Sequence, residues 1–285
     1  MLKYIVLILF ILYIIYENHV FKVTRYHIES KKLVGLKEDI NIVVLADLHN
    51  HVYGKKNEKL IHAIDEEQPD MILIAGDMIV AKPGESLDVS IDLIKQLAKK
   101  YPIYYGMGNH EYRMKIYPEQ YNGMYKTYLK EIQHNNVKIL DNKSVRITIK
   151  GTTLNIHGLE IEREYYKRFK KAELEDNYIN SLIGKPSKEE YNILLAHNPE
   201  YFKSYAKWGA DMTLAGHIHG GLIRLPFLGG LASPQVEFFP KYDGGQFYEG
   251  ESTMILSRGL GTHTINIRVN NRAELISIKL SLKVK

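Results

Sequence analysis

The chain opens on an unbroken apolar run. Residues 4–16 read YIVLILFILYIIY, with Lys3 before them and Glu17, Asn18 and His19 after them. No polar face interrupts the run, so a helix built from it has no side to turn toward water, which does not suit a core helix of a soluble protein. The pattern predicts a single membrane-anchoring helix over residues 1–22, with tyrosines at the interface, ahead of a folded unit over 23–285. A cleaved leader is the rival reading; against it, no small-x-small site follows the run and no twin arginine is present. The expected location is the cell membrane. Lys22, Arg25, Lys31 and Lys32 follow the run and only Lys3 and the amino terminus precede it, which would hold the folded unit in the cytoplasm. Long domains translocate regardless of such charges, so either side stays open.

Beyond the run, short continuous apolar stretches alternate with amphipathic ones. Residues 23–29 have strand character, and INIVVLA at 40–46 ends on Asp47, Leu48 and His49. MILIA at 71–75 ends on Gly76 and Asp77, and a third strand at 102–105 runs into Gly108, Asn109, His110 and Glu111. Helices are predicted between them at 56–67 and 87–100. Strand, loop and helix in succession imply parallel strands with their functional loops at one edge. The middle of the chain predicts one long helix over 118–134, short strands at 137–140, 144–149 and 152–157, and a charged, tyrosine-rich helical region at 163–180. YNILLA at 191–196 then ends on His197, a helix is predicted at 200–207, and a strand at 211–215 ends on Gly216, His217, Ile218 and His219. A long Gly- and Pro-bearing loop over 222–250 and strands at 254–257, 263–269 and 274–283 close the chain.

Composition narrows the chemistry. With 285 residues, 45% of them hydrophobic and 25% charged, the chain can bury the core of one sizeable domain. The net charge is +5, but 33 acidic residues interleave with 38 basic ones, so no basic arm for nucleic acid stands out. The absence of cysteine excludes disulfides, thiolate nucleophiles and thiolate-bound zinc together.

The polar residues at the strand ends are the candidate site. Asp47 and His49, two apart, can face one ion, and His217 and His219 repeat that spacing. Asn109 offers an amide oxygen, His197 a further imidazole, and Asp77 two oxygens that could link two ions. Each of these alone is more often a cap, a turn or a hydrogen-bonded histidine. Five such ends in order, each after a buried strand, point instead to a divalent metal centre. Carboxylate, amide and imidazole donors without thiolate suit manganese, iron or zinc, manganese first. Two ions about 4 Å apart can hold a hydroxide and clamp phosphate oxygens, the two-metal route to phosphoester hydrolysis.

The ordered set D-x-H at Asp47 and His49, GD at Gly76 and Asp77, GNHE at 108–111, His197 and GHIH at 216–219 resembles the five motifs of the calcineurin-like metallophosphoesterases. RLPFLGGLASP at 224–234, FPKYDGG at 239–245 and SRGLG at 257–261 resemble a bacterial membrane-anchored or exported branch, some members of which act on UDP-diacylglucosamine. The resemblance implies an α/β fold, a four-layer αββα sandwich of two mixed sheets between helices. It implies Asp47, His49, Asp77 and His219 on one metal, and Asp77, Asn109, His197 and His217 on the other. It implies His110 as general acid or transition-state stabiliser, and a phosphoester or pyrophosphate substrate, lipid-linked in some members. Two positions depart from the pattern: Val80, where many relatives carry the acidic residue that orients the catalytic histidine, and Leu222, often Gln. Val80 motivates an alternative, a catalytically silent metal-binding module of a membrane complex; otherwise Glu111 or another group substitutes in orienting His110, or His110 acts mainly as a hydrogen-bond donor. The loop 222–239, with Leu225, Phe227, Leu228 and Leu231, is expected to pack as core or to form an apolar wall for a lipid tail.

Overall fold

The apolar stretches that end on polar residues become the central strands of two sheets. The computed structural model describes residues 1–167, 173–175, 177–221, 223–225, 229–232, 240–262 and 267–284. A helix α1 (Leu2–His19) leads through Val20 into β1 (Phe21–Ser30). Then follow β2 (Ile40–Leu45), α2 (Glu58–Glu66), β3 (Met71–Ala75), α3 (Asp88–Ala98), β4 (Ile103–Gly106), α4 (Asn109–Ile116), α5 (Met124–Glu131), β5 (Val137–Leu140), β6 (Lys143–Ile149) and β7 (Thr152–Leu159). The chain continues with α6 (Tyr178–Ile183), β8 (Tyr191–Ala196), α7 (Phe202–Trp208), β9 (Met212–Ala215), a small ribbon of β10 (Ile223–Leu225) and β11 (Gly229–Ala232), then β12 (Gly245–Glu249), β13 (Ser252–Leu256) and β14 (Ala273–Leu282).

The first sheet runs β1-β14-β2-β3-β4-β5 and the second β12-β13-β9-β8-β7-β6. Strands β2 to β5 are parallel, as are β7, β8, β9 and β13, while β14 pairs antiparallel with β2 and β6 and β12 close the second sheet antiparallel. Both sheets are therefore mixed.

Alternation along each strand fixes the layers. Val43, Leu45, Ile72 and Ile74 point to one face of the first sheet and pack under Leu60, Ile64, Leu93, Leu97 and Tyr128 of α2, α3 and α5. Their neighbours Ile42, Val44 and Leu73 point the other way, onto Ile156, Ile193 and Leu214 of the second sheet. Leu194 and Ala196 face outward under Ile179 and Tyr205 of α6 and α7. The result is helix, sheet, sheet, helix. Each of these aliphatic side chains contributes roughly 2 kcal/mol by leaving water, and together they make the strand ends rigid supports.

Some predicted elements differ. The helix predicted over 118–134 is only α5; Pro118 begins a run of turns, and Asn122 and Gly123, both in the left-handed region with φ 49° and 70°, block continuation. The residues that follow the strand predicted at 102–105 open a helix, α4, capped by Gly108, for which no separate element is predicted. Of the helical region at 163–180, the described part holds a single 3-10 turn at Arg163–Tyr166 and α6; residues 168–172 and 176 lie outside the described residues. The long loop at 222–250 contains β10, β11 and β12. Of the strand predicted at 263–269, residues 263–266 lie outside the described residues, and Val269 makes an isolated bridge to Ile223. The apolar-wall reading of 222–239 falls mostly outside them too, Leu222, Phe227 and Leu228 included.

Candidate metal centre

The eight residues singled out from the sequence gather at one edge, where the carboxyl ends of both sheets meet. Asp47 and His49 follow β2, Asp77 follows β3, Asn109 and His110 open α4 after β4, His197 follows β8, and His217 and His219 follow β9. Asp47, His49, Asp77, His110, His197 and His219 are all buried.

The backbone is bent to bring them there. Asp47, His49, Asp77, His217 and His219 all adopt left-handed φ, between 47° and 77°. Each such non-glycine residue costs of order 1–3 kcal/mol and persists only where its surroundings over-determine it. Two glycines make room: a Cβ on Gly108 would lie 2.2 Å from Asp77 Oδ1, and one on Gly216 2.3 Å from Asp47 Oδ2. Glycine at these positions lets two loops press onto the two carboxylates.

Three groups of side chains each offer donor atoms within 4.8 Å of one another: Asp47, His49 and His219; His49, Asp77 and His110; Asp77, His197 and His217. The groups share members, and Asp77 belongs to two of them. His219 Nε2 lies 3.3 Å from Asp47 Oδ1, and His49 Nε2 3.8 Å from Asp47 Oδ1 and 3.9 Å from Asp77 Oδ2. His197 Nε2 is 3.1 Å from Asp77 Oδ2 and 3.8 Å from Asp47 Oδ1. Behind the donor atoms, the far ring nitrogens rest on backbone carbonyls: His197 Nδ1 on Ala75 O at 2.7 Å and His219 Nδ1 on Gly261 O at 3.0 Å. A carbonyl accepts only from a protonated nitrogen, so each ring carries a hydrogen on Nδ1 and turns Nε2, the atom that could ligate an ion, toward the carboxylates.

The electrostatics favour a cation here. Burial pushes the Asp47 carboxyl up to about 7, with Asp77 adding to it and His197 opposing. Burial acts on Asp77 in the same sense, but His197, His110 and His49 around it outweigh burial and hold it well below the usual carboxylate range. His197 is pushed up to about 10: burial lowers it, and Asp77 and Asp47 more than offset this. Among the described residues the amide oxygen of Asn109 is buried without a hydrogen-bond partner. A buried acceptor in that state costs about 1–3 kcal/mol, and an ion seated beside it would remove the cost. Donor types, the inward-facing Nε2 atoms and the unpartnered oxygen all fit divalent metal ions.

Two residues gain roles the sequence does not reveal. Glu111, fully buried, accepts from Asp77 N (3.0 Å), Met78 N (2.9 Å), Gly108 N (3.1 Å) and the Tyr105 hydroxyl (2.7 Å). It ties the loop after β3 to the loop after β4, and of the two options for orienting His110 it is the one not used. That task falls to a backbone group: Ala81 N–H donates to His110 Nδ1 at 2.8 Å. Val80 leaves no carboxylate there, and the peptide that follows it supplies the partner instead. A nitrogen that accepts carries no proton, so the neutral His110 ring bears its hydrogen on Nε2, 3.9 Å from Asp77 Oδ2. No residue-type signal marks a backbone donor.

A folded core of two mixed sheets with a buried, carboxylate-linked histidine cluster at their shared edge defines a metal-dependent phosphoric ester hydrolase. The chain belongs to the calcineurin-like phosphoesterase family, whose profile matches residues 40–221. It is 28% identical to the metallophosphoesterase Cj0846 of Campylobacter jejuni, over 99% of this chain and 70% of that one. It is 24% identical to the phosphodiesterase YaeI of Escherichia coli, over 84% of this chain and 80% of that one. It is also 24% identical to a zebrafish (Danio rerio) transmembrane protein with a metallophosphoesterase domain, over 91% of this chain and 57% of that one.

Proposed function

We propose that the protein hydrolyses a phosphodiester or pyrophosphate bond at a two-ion centre, one ion held by Asp47, His49, Asp77 and His219, the other by Asp77, Asn109, His197 and His217. The observation that carries this is the place of Asp77, which groups with His197 and His217 on one side and on the other lies 3.9 Å from His49, a member of the Asp47, His49 and His219 group. Bound there, two divalent ions supply the Lewis acidity and activated water of two-metal hydrolysis, and manganese suits these donors best. His110 acts from the wall. With its Nδ1 occupied by Ala81 N–H, it offers an Nε2 hydrogen to a phosphate or leaving-group oxygen, so its part is donation to developing negative charge. Because a backbone group does the orienting, Val80 is no reason to expect an inactive module. The likeness to a phosphodiesterase favours the diester class.

A lipid-linked substrate is a second reading, favoured by α1. This helix of 18 residues has a mean hydropathy of 1.5 and only 6% of it is buried, and a span and a leader sequence both have that character. We read it as a cell-membrane anchor for the unit that follows.

The experiment is a metal analysis and a diester assay on the full-length protein, wild type and Asp77→Asn, with added manganese. Metal content and turnover should fall together in the variant. Unchanged stoichiometry and rate in Asp77→Asn would overturn the assignment. Equal efficiency on soluble and lipid-borne diesters would remove the second reading alone.

A further inference from the structure

Arg268 is a buried guanidinium, 2% exposed, that pairs with no carboxylate among the described residues. Burying such a cation is costly unless its donors are all used. Here Nη1 donates to Asn271 O at 3.1 Å, and Nη2 donates to the carbonyls of Arg258, Gly259 and Gly261 at 3.0, 3.1 and 2.9 Å. The Gly261 carbonyl is the one that also receives His219 Nδ1. One carbonyl thus joins the guanidinium to a metal-facing imidazole. The next loop peptides lean on the same centre, since Leu260 N donates to Ala46 O at 3.0 Å and Gly261 N to Asp47 O at 2.6 Å.

Asn271 works on the other side of the same histidine. Its amide nitrogen donates to the His219 carbonyl at 2.7 Å and to the Gly221 carbonyl, bracing the left-handed turn that carries the ring. Beyond these two residues the segment grips α1. Tyr13 donates to Asn270 Oδ1 at 2.8 Å and accepts from Asn270 N at 3.1 Å. Arg272 forms an ion pair at 2.8 Å with Glu17, which is itself 2% exposed.

We propose that residues 268–272 form a strap that positions His219, with Arg268 and Asn271 as its positioning residues and the last turns of α1 fixing its outer end. Arg268 sets the Nδ1 acceptor of His219, and Asn271 sets its backbone. The strap acts on the ion held by Asp47, His49 and His219, and not on the one held by Asn109, His197 and His217. The proposal rests on the two-ion reading of the site.

The test is calorimetric titration of the metal-stripped full-length protein in detergent with manganese, with elemental analysis of the product. Wild type should take up two ions per chain; failure to do so would strike the two-ion reading itself. Arg268→Lys and Asn271→Ala should each weaken one of the two binding steps by about 10- to 100-fold and leave the other unchanged, the size expected when support behind a metal-bound histidine is lost. Arg268→Lys keeps the charge but not the fork, so a fold requirement for the charge alone predicts no change in it. Glu17→Gln should weaken the same step by a smaller factor. Two unaltered steps in Arg268→Lys and Asn271→Ala, or equal weakening of both, would overturn the strap. An unaltered titration in Glu17→Gln would overturn the part assigned to α1. If Arg268→Lys fails to fold, Asn271→Ala decides alone.

Discussion

At the scale of single residues, the site rests on two unlike kinds of support. The metal-facing groups are side chains, but what holds them is largely backbone: Ala75 O behind His197, Gly261 O behind His219, Ala81 N–H behind His110. If His110 donates to the reacting group as proposed, rather than holding an ion, His110→Ala should lower kcat on a diester by on the order of 10²-fold with metal content unchanged. Loss of metal together with rate would place it among the ligands instead, an option its grouping with His49 and Asp77 makes worth testing. Glu111 is the exception, a carboxylate that receives three peptide N–H groups and a phenol. Glu111→Ala leaves those donors buried and unpaired, and should cost about 3 kcal/mol or more of stability, measured by urea unfolding of the metal-free protein. A loss under 1 kcal/mol, within the range of a typical surface change, would deny the tie.

At the scale of elements, the described outer face of the second sheet carries a pH dependence unconnected with metals. His157 of β7 takes Ser144 Oγ at 2.7 Å on Nδ1, lies edge-on to Trp208 with ring centres 4.9 Å apart, and has Asn192 Oδ1 3.4 Å from Nε2. Burial lowers its affinity for a proton, with the Asn192 contact opposing. The unfolded chain takes up a proton near pH 6.5 while the folded one resists it. This contribution to stability is thus present above that pH and is lost as the pH falls below it. The drop in Tm between about pH 7.5 and about pH 5.5 should be smaller in His157→Gln than in wild type; equal drops would dismiss the effect. The same scale explains what could be seen in the sequence. A buried strand that stops on Asp, Asn or His leaves a pattern of residue types, and all five such stops occupy one edge. Helix α4 was hidden because GNHE reads as a turn until Glu111 is seen to reach back to Gly108 and the peptides of Asp77 and Met78. Strand β12 is masked by its flanking glycines, and the apolar spacing over 118–134 carries no mark of the turn at Asn122 and Gly123. Ala81 and Arg268 were illegible for another reason: one acts through a peptide N–H and the other on peptide carbonyls, and neither group varies with residue type.

At the scale of the whole molecule, the metal centre is also the joint between the two sheets. Its candidate ligands follow β2, β3 and β4 on one side and β8 and β9 on the other, so ions binding there would cross-link the layers. Removing metal with a chelator should lower Tm, with manganese restoring it in proportion to the logarithm of its free concentration. Unfolding unaffected by chelator would mean that the joint holds without ions.

The pairing of β1 with β14 reaches beyond the finished structure to the order in which it is made. Phe21 lies opposite Ala273, and β14 sits between β1 and β2. Two strands neighbouring in sequence thus join one sheet only through a strand far along the chain, and loop closure over that length is slow. Strands β2 to β5, by contrast, pair through contacts much closer in sequence. Because residues 268–272 lead directly into β14, the support proposed for His219 depends on the same long-range closure that completes the first sheet.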